Sequence, residues 1–380
     1  MIKQKYYYPN IPSPAYVLEE QKIRSNLEKL KYVREKAGIE IILALKAFSM
    51  WSVFPIVREY LDGATASSLF EAKTIFDEMG EKAHTYAPGY REDEIDELAR
   101  MSQTIIFNSL DQYYRFGKKM KTVNSQLAFG IRVNPGYSEI ETDLYNPASP
   151  GSRLGIRSLE NVPDGINGLH FHALCENNSY TLSRVLDAFE ERFGHLLDQL
   201  DWLNMGGGHL ITSSGYEIEH LIQLLLSLKR RYSHLKIIME PGSAIAWQTG
   251  FLKSTVMDVI DTPMRKCLIL DISFTAHMPD CLEMPYNPEV RGAKYGTEGN
   301  HVYQLGGTSC LAGDQLGPYS FENEVKVGDE VIFEDMIHYT MVKTTMFNGV
   351  RHPDIGIING RGEYRVQRSF TYEDFKSRLS

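Results

Sequence analysis

Residues 39–50 read IEIILALKAFSM. From Ile39 to Leu45 the run is apolar apart from Glu40, and Gly38 precedes it. A short stretch rich in Ile and Leu is how a strand buried on both faces of a parallel sheet reads. Lys46 stands at its end. An amine leaving such a strand is partly desolvated, which lowers its pKa and makes it a nucleophile. A lone lysine there more often snorkels to solvent, so its meaning depends on the residues that join it.

Working outward, the stretch just upstream, residues 21–38 (QKIRSNLEKLKYVREKAG), puts Ile23, Leu27, Leu30 and Val33 on one helical face and ends in a glycine stop. Before it, residues 15–18 form a short strand candidate after Pro12 and Pro14. Downstream the unit repeats. Strands are predicted over 64–68, 84–88, 104–108, 127–133, 168–172, 202–205 and 236–240. Helices are predicted over 51–61, 69–79, 92–101, 111–116, 181–197 and 217–231. Eight strands with crossover helices in this length predict an α/β fold of the (β/α)8 TIM-barrel type. A doubly wound dinucleotide fold would place GxGxxG after the first strand, and none is there. Beyond Gly250 the pattern turns β-rich in STVMDVID, KCLILDIS, HVYQLGG and DEVIFED. This predicts a barrel domain over residues 15–247 and a C-terminal all-β domain, sandwich- or barrel-like, over 248–380 with residues 1–14. Residues 271–299, rich in Pro, Gly and Asn, are expected to be a long functional loop.

The chain has 380 residues, 43% hydrophobic and 23% charged, enough for a large core in two domains. Its formal net charge of −9 argues against nucleic-acid binding and favours cationic ligands. The four cysteines, Cys175, Cys267, Cys281 and Cys310, have no CxxC spacing and no disulfide density. No apolar run is long enough to span a bilayer, and MIKQKYYYPN lacks a signal-peptide core. The expectation is a cytoplasmic protein with reduced thiols and no membrane partner.

In a barrel of this kind chemistry sits at the C-terminal strand ends. This chain puts Lys46, Ser68, Asn108, Arg132, His172, Gly206 to Gly208 and Glu240 there. Three successive glycines let backbone N–H groups converge on an anion, and the loop after the seventh strand is a usual phosphate position. His170 and His172 lie two apart on one predicted strand and face one way. They read either as a zinc pair of a metal-dependent barrel hydrolase, or as a core histidine and a ring stacked on a flat cofactor. No convincing further ligands stand on later strands, so no metal is expected. A lysine for covalent attachment, a phosphate cradle and a strand-eight carboxylate to hold a pyridine nitrogen protonated are what a pyridoxal phosphate site requires.

The segments LALKAFS, GLHFHALCEN, NMGGGH, EPGSAIAWQTG, DISFTAHMPDCLEMPYNP, GTSCLAGD and YTMVKTTMFNG resemble the alanine racemase-like, fold type III pyridoxal-phosphate decarboxylases. The resemblance covers nearly the whole chain and is nearest to the carboxynorspermidine/carboxyspermidine branch. It implies a homodimer with shared active sites. It also implies decarboxylation of a carboxylated polyamine to norspermidine or spermidine in polyamine biosynthesis. Carried over residue by residue, it makes Lys46 the cofactor-bonded lysine, His172 the stacking ring, Gly206, Gly207 and Gly208 the phosphate loop and Glu240 the pyridine partner. Cys310 becomes the acid and Asp314 its substrate-binding companion, both from the opposite subunit, and Tyr339 a phosphate contact. The diaminopimelate decarboxylase branch, the same-fold alternative, usually has arginine where Ser243 stands. Its loss suits a substrate whose far end is an amine, with Asp271, Asp280 or Glu283 as amine partners and Arg132 as a further substrate-binding candidate.

Overall fold

The computed structural model describes residues 8–140, 142–284 and 286–380. Residues 1–7, part of both the expected N-terminal addition to the β domain and the leader reading, lie outside them. The chain divides into two compact units: residues up to Arg24 together with Ala246–Ser380, and Ser25–Ile245.

The Ser25–Ile245 unit is a barrel. Its sheet contains nine strand segments, all parallel, but Glu40–Ile41 and Leu43–Ala44, at the two ends of the order, are one stretch broken only at Ile42. Ile42 N–H donates to the Met239 carbonyl on one side, and Leu43 N–H donates to the Gly63 carbonyl on the other. Counted once, that stretch makes eight strands and closes the ring. The others are Ala64–Ala66, Ala83–Tyr86, Ser102–Phe107, Ala128–Arg132, Gly168–His170, Trp202–Asn204 and Lys236–Met239. Closure explains the sequence pattern. With the interior filled and helices outside, both faces of each strand are dry, so the strands read as apolar runs rather than alternations.

Packing inside the barrel turns on Trp202, which clusters with Ile42, Ile106 and Ile238. Its indole lies over two glycines on neighbouring strands. A Cβ on Gly130 would sit 2.2 Å from the ring, and one on Gly168 would sit 2.1 Å from it. Interiors at this density tolerate no added methyl there. The predicted helix over 51–61 is shorter, a 3₁₀ turn Trp51–Val53 followed by Phe54–Val57. The strand expected over 168–172 ends at His170.

The other unit is built on a nine-stranded mixed sheet. Its longest strand, Gly250–Ile260, pairs antiparallel with Ala15–Glu19, Lys266–Leu270 and Glu330–Glu334. Ala15–Glu19 also runs parallel to Asp354–Ile358. The contacts therefore group residues 15–19, expected in the barrel domain, with this sheet. Sandwiched between two strands, Ala15 to Leu18 are all fully buried. A buried ion pair fixes the segment before them: Lys253 Nζ lies 2.7 Å from Glu330 Oε1 and also donates to the carbonyls of Tyr8 (2.8 Å) and Ile11 (2.7 Å). With every ammonium proton partnered, the cost of burying the charge is offset. The loop expected over 271–299 instead contains two short helices, Phe274–His277 and Pro279–Glu283, and the strand Ala293–Tyr295. Among the described residues no helix is long and apolar enough to cross a membrane.

Candidate active site

At the C-terminal ends of the barrel strands, Lys46 Nζ lies 3.5 Å from His172 Nε2. The other ring nitrogen, Nδ1, accepts the Gly207 N–H at 3.0 Å. That bond assigns the ring proton to Nε2, so the proton faces Lys46 and favours an uncharged amine there. The electrostatics agree. Burial among protein atoms and then the Arg132 guanidinium push the Lys46 pKa down, against the pull of Glu240. The lysine side chain is solvent-accessible, which relieves part of the desolvation and leaves the Arg132 repulsion as the lasting cause. His172 is driven well below its ordinary value by burial, Lys46 and Arg132, so the ring is neutral.

Glu240, just past the Lys236–Met239 strand, is 8% exposed. Burial alone would protonate it, but contacts from His170 and Asn204 outweigh burial and hold the carboxyl at about 2. The Asn204 amide donates to Oε1 at 2.7 Å, whereas His170 Nε2 lies 3.6 Å from Oε2. The first is a short hydrogen bond, and the second is too long for one and acts electrostatically. Asn204 Oδ1 in turn accepts the Gly206 N–H at 2.9 Å. One amide thus ties the strand-eight carboxylate to the glycine loop.

The glycines are required by crowding. A Cβ on Gly206 would meet the Phe171 carbonyl at 2.5 Å, one on Gly207 the Glu240 carbonyl at 2.3 Å, and one on Gly208 the Leu174 carbonyl at 2.0 Å. Gly206 and Gly208 also have positive φ, +67° and +90°, where a side chain is strained. The following helix begins only at Ile218, so no helix N-terminus backs this loop. Two of its N–H groups are committed, to Asn204 and His172. Those of Gly208 and His209 donate to no protein acceptor among the described residues.

The remaining rim residues make contacts within the barrel. Arg132 is buried, its guanidinium 4.6 Å from the Tyr86 ring centroid and donating to the His172 carbonyl at 3.3 Å. Tyr86 stacks on His170 at 5.4 Å and donates to Asn108 Oδ1 at 2.8 Å. Ser68 caps the helix Leu69–Thr74. Sequence reading missed Tyr86 and Asn204. The signal for Asn204 was a lone amide in the strand WLN, one residue before the glycines. His170 and His172 are engaged by Glu240, Gly207 and Lys46. Among the described residues no group of three or more His, Cys, Asp or Glu is arranged to hold a metal ion.

In the sheet unit, Cys310 is exposed and accepts a hydrogen bond from Asn348 Nδ2 at 3.0 Å. Asp314 is 4% exposed and takes the N–H groups of Thr275 (2.9 Å) and Ser309 (3.0 Å). It braces the loop that carries Cys310. A Cβ on Gly307 would strike its carboxylate at 2.4 Å, which accounts for the first glycine in GTSCLAGD. Tyr339 has φ +21° and meets His338 edge-on. Asp271 accepts from Ser13 Oγ (2.7 Å) and Thr255 N–H (2.8 Å). Asp280 Oδ2 accepts from Thr340 (2.7 Å) and Tyr286 (2.9 Å), while its Oδ1 is buried with no hydrogen-bond partner among the described residues. Glu283 is exposed and paired with Lys343.

A family model described as pyridoxal-dependent decarboxylase, C-terminal sheet domain, matches residues 15–337. The chain belongs to the pyridoxal-dependent decarboxylases. Within the family it is 51% identical over 373 residues to a carboxyaminopropylagmatine decarboxylase of Synechocystis sp., covering 97% of this chain and 96% of that one. It is 44% identical over 386 residues to a carboxynorspermidine/carboxyspermidine decarboxylase of Campylobacter jejuni, covering 98% and 100%. The crystal structure of carboxynorspermidine decarboxylase from Campylobacter jejuni complexed with norspermidine superposes with TM-score 0.90 at 42% identity, over 97% of this chain and 100% of that one. The chain is therefore a carboxy-lyase that works with pyridoxal phosphate, and the hydrolase alternative falls. Its barrel fits that cofactor: a lysine amine held toward neutrality, an ionised buried carboxylate, and a glycine loop in which the N–H groups of Gly208 and His209 have no protein acceptor among the described residues.

Proposed function

We propose that the protein decarboxylates carboxynorspermidine or carboxyspermidine in polyamine biosynthesis, as a cytoplasmic homodimer with shared active sites. The observation that carries the chemistry is Lys46 within 3.5 Å of the neutral His172 ring, with Glu240 held ionised behind the glycine loop. Pyridoxal phosphate supplies the sink for the electron pair left when the α-carboxylate departs as carbon dioxide. Lys46 holds the cofactor and releases the product. His172 packs against the ring plane, and Glu240 keeps a proton on the pyridine nitrogen. Gly206, Gly207 and Gly208 with Tyr339 receive the phosphate. The partner subunit's Cys310, in a loop set by the partner subunit's Asp314, delivers a proton to the substrate carbon. Among the three acids expected at the far amine, Glu283 is favoured, because both oxygens of Asp271 already accept protein donors and the unpartnered Oδ1 of Asp280 is buried, whereas Glu283 is exposed.

A second reading comes from the 51% identical relative, named for a substrate that ends in a guanidinium rather than an ammonium group. Both ends are cations, and both suit a carboxylate partner. The test is the specificity constant for carboxynorspermidine, carboxyspermidine, carboxyaminopropylagmatine and diaminopimelate on one preparation. The first two differ by one methylene, worth about 1–3 kcal/mol, so a gap of roughly 10- to 200-fold at most is expected between them. A preference for the guanidino compound would replace the primary reading, and one for diaminopimelate would remove both.

A further inference from the structure

In the sheet unit the chain turns back sharply at residues 347–350, Phe-Asn-Gly-Val. Asn348 has φ 60° and ψ 9°, and Gly349 has φ +69°. The Phe347 carbonyl accepts the Val350 N–H at 3.1 Å. Positive φ at both central residues, closed by that bond, is the type I′ pattern that selects Asn-Gly. The turn alone would be served as well by glycine at position 348, which adopts this φ without strain. Asparagine adds an amide, and the amide is used: its Nδ2 donates to Cys310 Sγ at 3.0 Å, across 38 positions of sequence.

Each partner is set by its own backbone. Thr345 N–H donates to the Ala276 carbonyl at 2.8 Å and Gly349 N–H to the Met346 carbonyl at 3.1 Å, which fixes the turn. Ser309 N–H donates to Asp314 Oδ2 at 3.0 Å and Asp314 N–H to the Leu311 carbonyl at 2.9 Å, which fixes the loop carrying Cys310. Both Cys310 and Asn348 are exposed, so core packing does not impose the contact. A sulfur that accepts an N–H keeps its own S–H free to point elsewhere. When the thiol gives up that proton, the S–H electron pair stays on sulfur. The same amide then meets a thiolate, and a hydrogen bond to an ionised group is about twice as strong. The bond therefore strengthens as the proton leaves.

We propose that Asn348 is the positioning residue of Cys310: its amide orients the thiol toward the substrate carbon and stabilises the thiolate left when the proton moves to that carbon. This rests on Cys310 as the acid, so Cys310→Ala is measured beside the Asn348 variants. If Cys310→Ala keeps wild-type kcat, the acid reading falls and takes the proposal with it. If Cys310→Ala loses kcat while Asn348→Gly does not, the proposal alone is overturned. Asn348→Gly keeps the turn and removes the donor, whereas Asn348→Asp keeps the turn and sets a like charge against the thiolate. Cofactor-free enzyme is alkylated with iodoacetamide, and modified Cys310 is quantified by peptide mass spectrometry, because the thiolate is the reactive form. Loss of one hydrogen bond predicts alkylation about 3- to 10-fold slower in Asn348→Gly, and slower still in Asn348→Asp. We expect kcat to fall in the same order, with KM and melting temperature unchanged. A role confined to the turn predicts that both variants alkylate and turn over like wild type, which overturns the proposal. Slowed alkylation with unchanged kcat overturns it too.

Discussion

Carboxylates in the two units are held in opposite ways. In the barrel, Glu240 takes one short bond, from Asn204, and keeps its second oxygen 3.6 Å from His170, charged but not saturated. In the sheet unit, Asp271 and Asp314 accept protein donors on both oxygens, whereas Asp280 takes two on Oδ2 and none on its buried Oδ1 among the described residues. An acid that must meet a ligand is kept ionised and left incomplete. One that must hold a loop is saturated. Burial does not separate the two kinds, since Glu240 and Asp314 are both buried.

The sharpest way to break this contrast is at the barrel rim. Lys46→Ala should lower kcat on the order of 10⁴-fold or more, as loss of a covalent nucleophile does. It should also abolish the chromophore that borohydride would otherwise fix. Retained turnover would mean that the lysine is only a strand-end cation. Next comes Glu240→Gln, which keeps the shape and removes the charge. We expect kcat to fall about 10²- to 10³-fold, the scale of one lost electrostatic partner, with a modest fall in melting temperature, because a carboxyl held at about 2 adds some folding stability at neutral pH. A large loss of stability instead would place Glu240 with the saturated acids.

Acid stability tests whether the units differ in their buried histidines as they do in their acids. Burial lowers His209 to about 3 and His84 to about 4 in the barrel, and His277 to about 3 in the sheet unit. Each folded pKa lies below the ordinary value near 6.5, so below that pH the unfolded chain binds more protons than the folded one. Stability is therefore complete above about pH 6.5 and falls as pH drops toward 3. Each histidine adds a slope of about 1.4 kcal/mol per pH unit. Urea midpoints at pH 7.0, 6.0 and 5.0 should decline in both units. A flat profile would mean that these rings are protonated or solvated in the fold.

Much of the barrel is legible in sequence because closure makes its strands dry on both faces, which leaves runs such as IEIILAL. The sheet unit is less so. Tyr364–Arg368 is an edge strand whose residues are largely exposed, and Gln315–Phe321 contains a Gly-Pro pair; neither offers an apolar run. Lys46, His172 and Glu240 could be named from their strand ends. Asn204 could not, because its importance lies in two bonds to residues that only folding brings near. The acids 271–283 were nameable but not rankable, since their partners stand far off in sequence: Ser13 lies 258 positions from Asp271, and Thr340 lies 60 from Asp280.

That ranking sets the smallest and most discriminating effect. Glu283 leaves 53% of its side chain exposed and its partner Lys343 leaves 34%. A surface pair of this kind contributes about 0–1 kcal/mol, so a substrate ammonium or guanidinium can displace Lys343 at little cost. Asp271 offers no such exchange, because removing it would strand Thr255 N–H and Ser13 Oγ. Glu283→Gln should therefore raise KM about 3- to 10-fold with kcat and melting temperature unchanged, and added salt should narrow the gap to wild type. Asp271→Asn should do the reverse, lowering the melting temperature with KM unchanged. If Glu283→Gln leaves KM alone while Asp280→Asn raises it, the buried, unpartnered Oδ1 of Asp280 meets the substrate amine in place of the surface acid; a rise in KM for Asp271→Asn would break the distinction between incomplete and saturated acids in this unit.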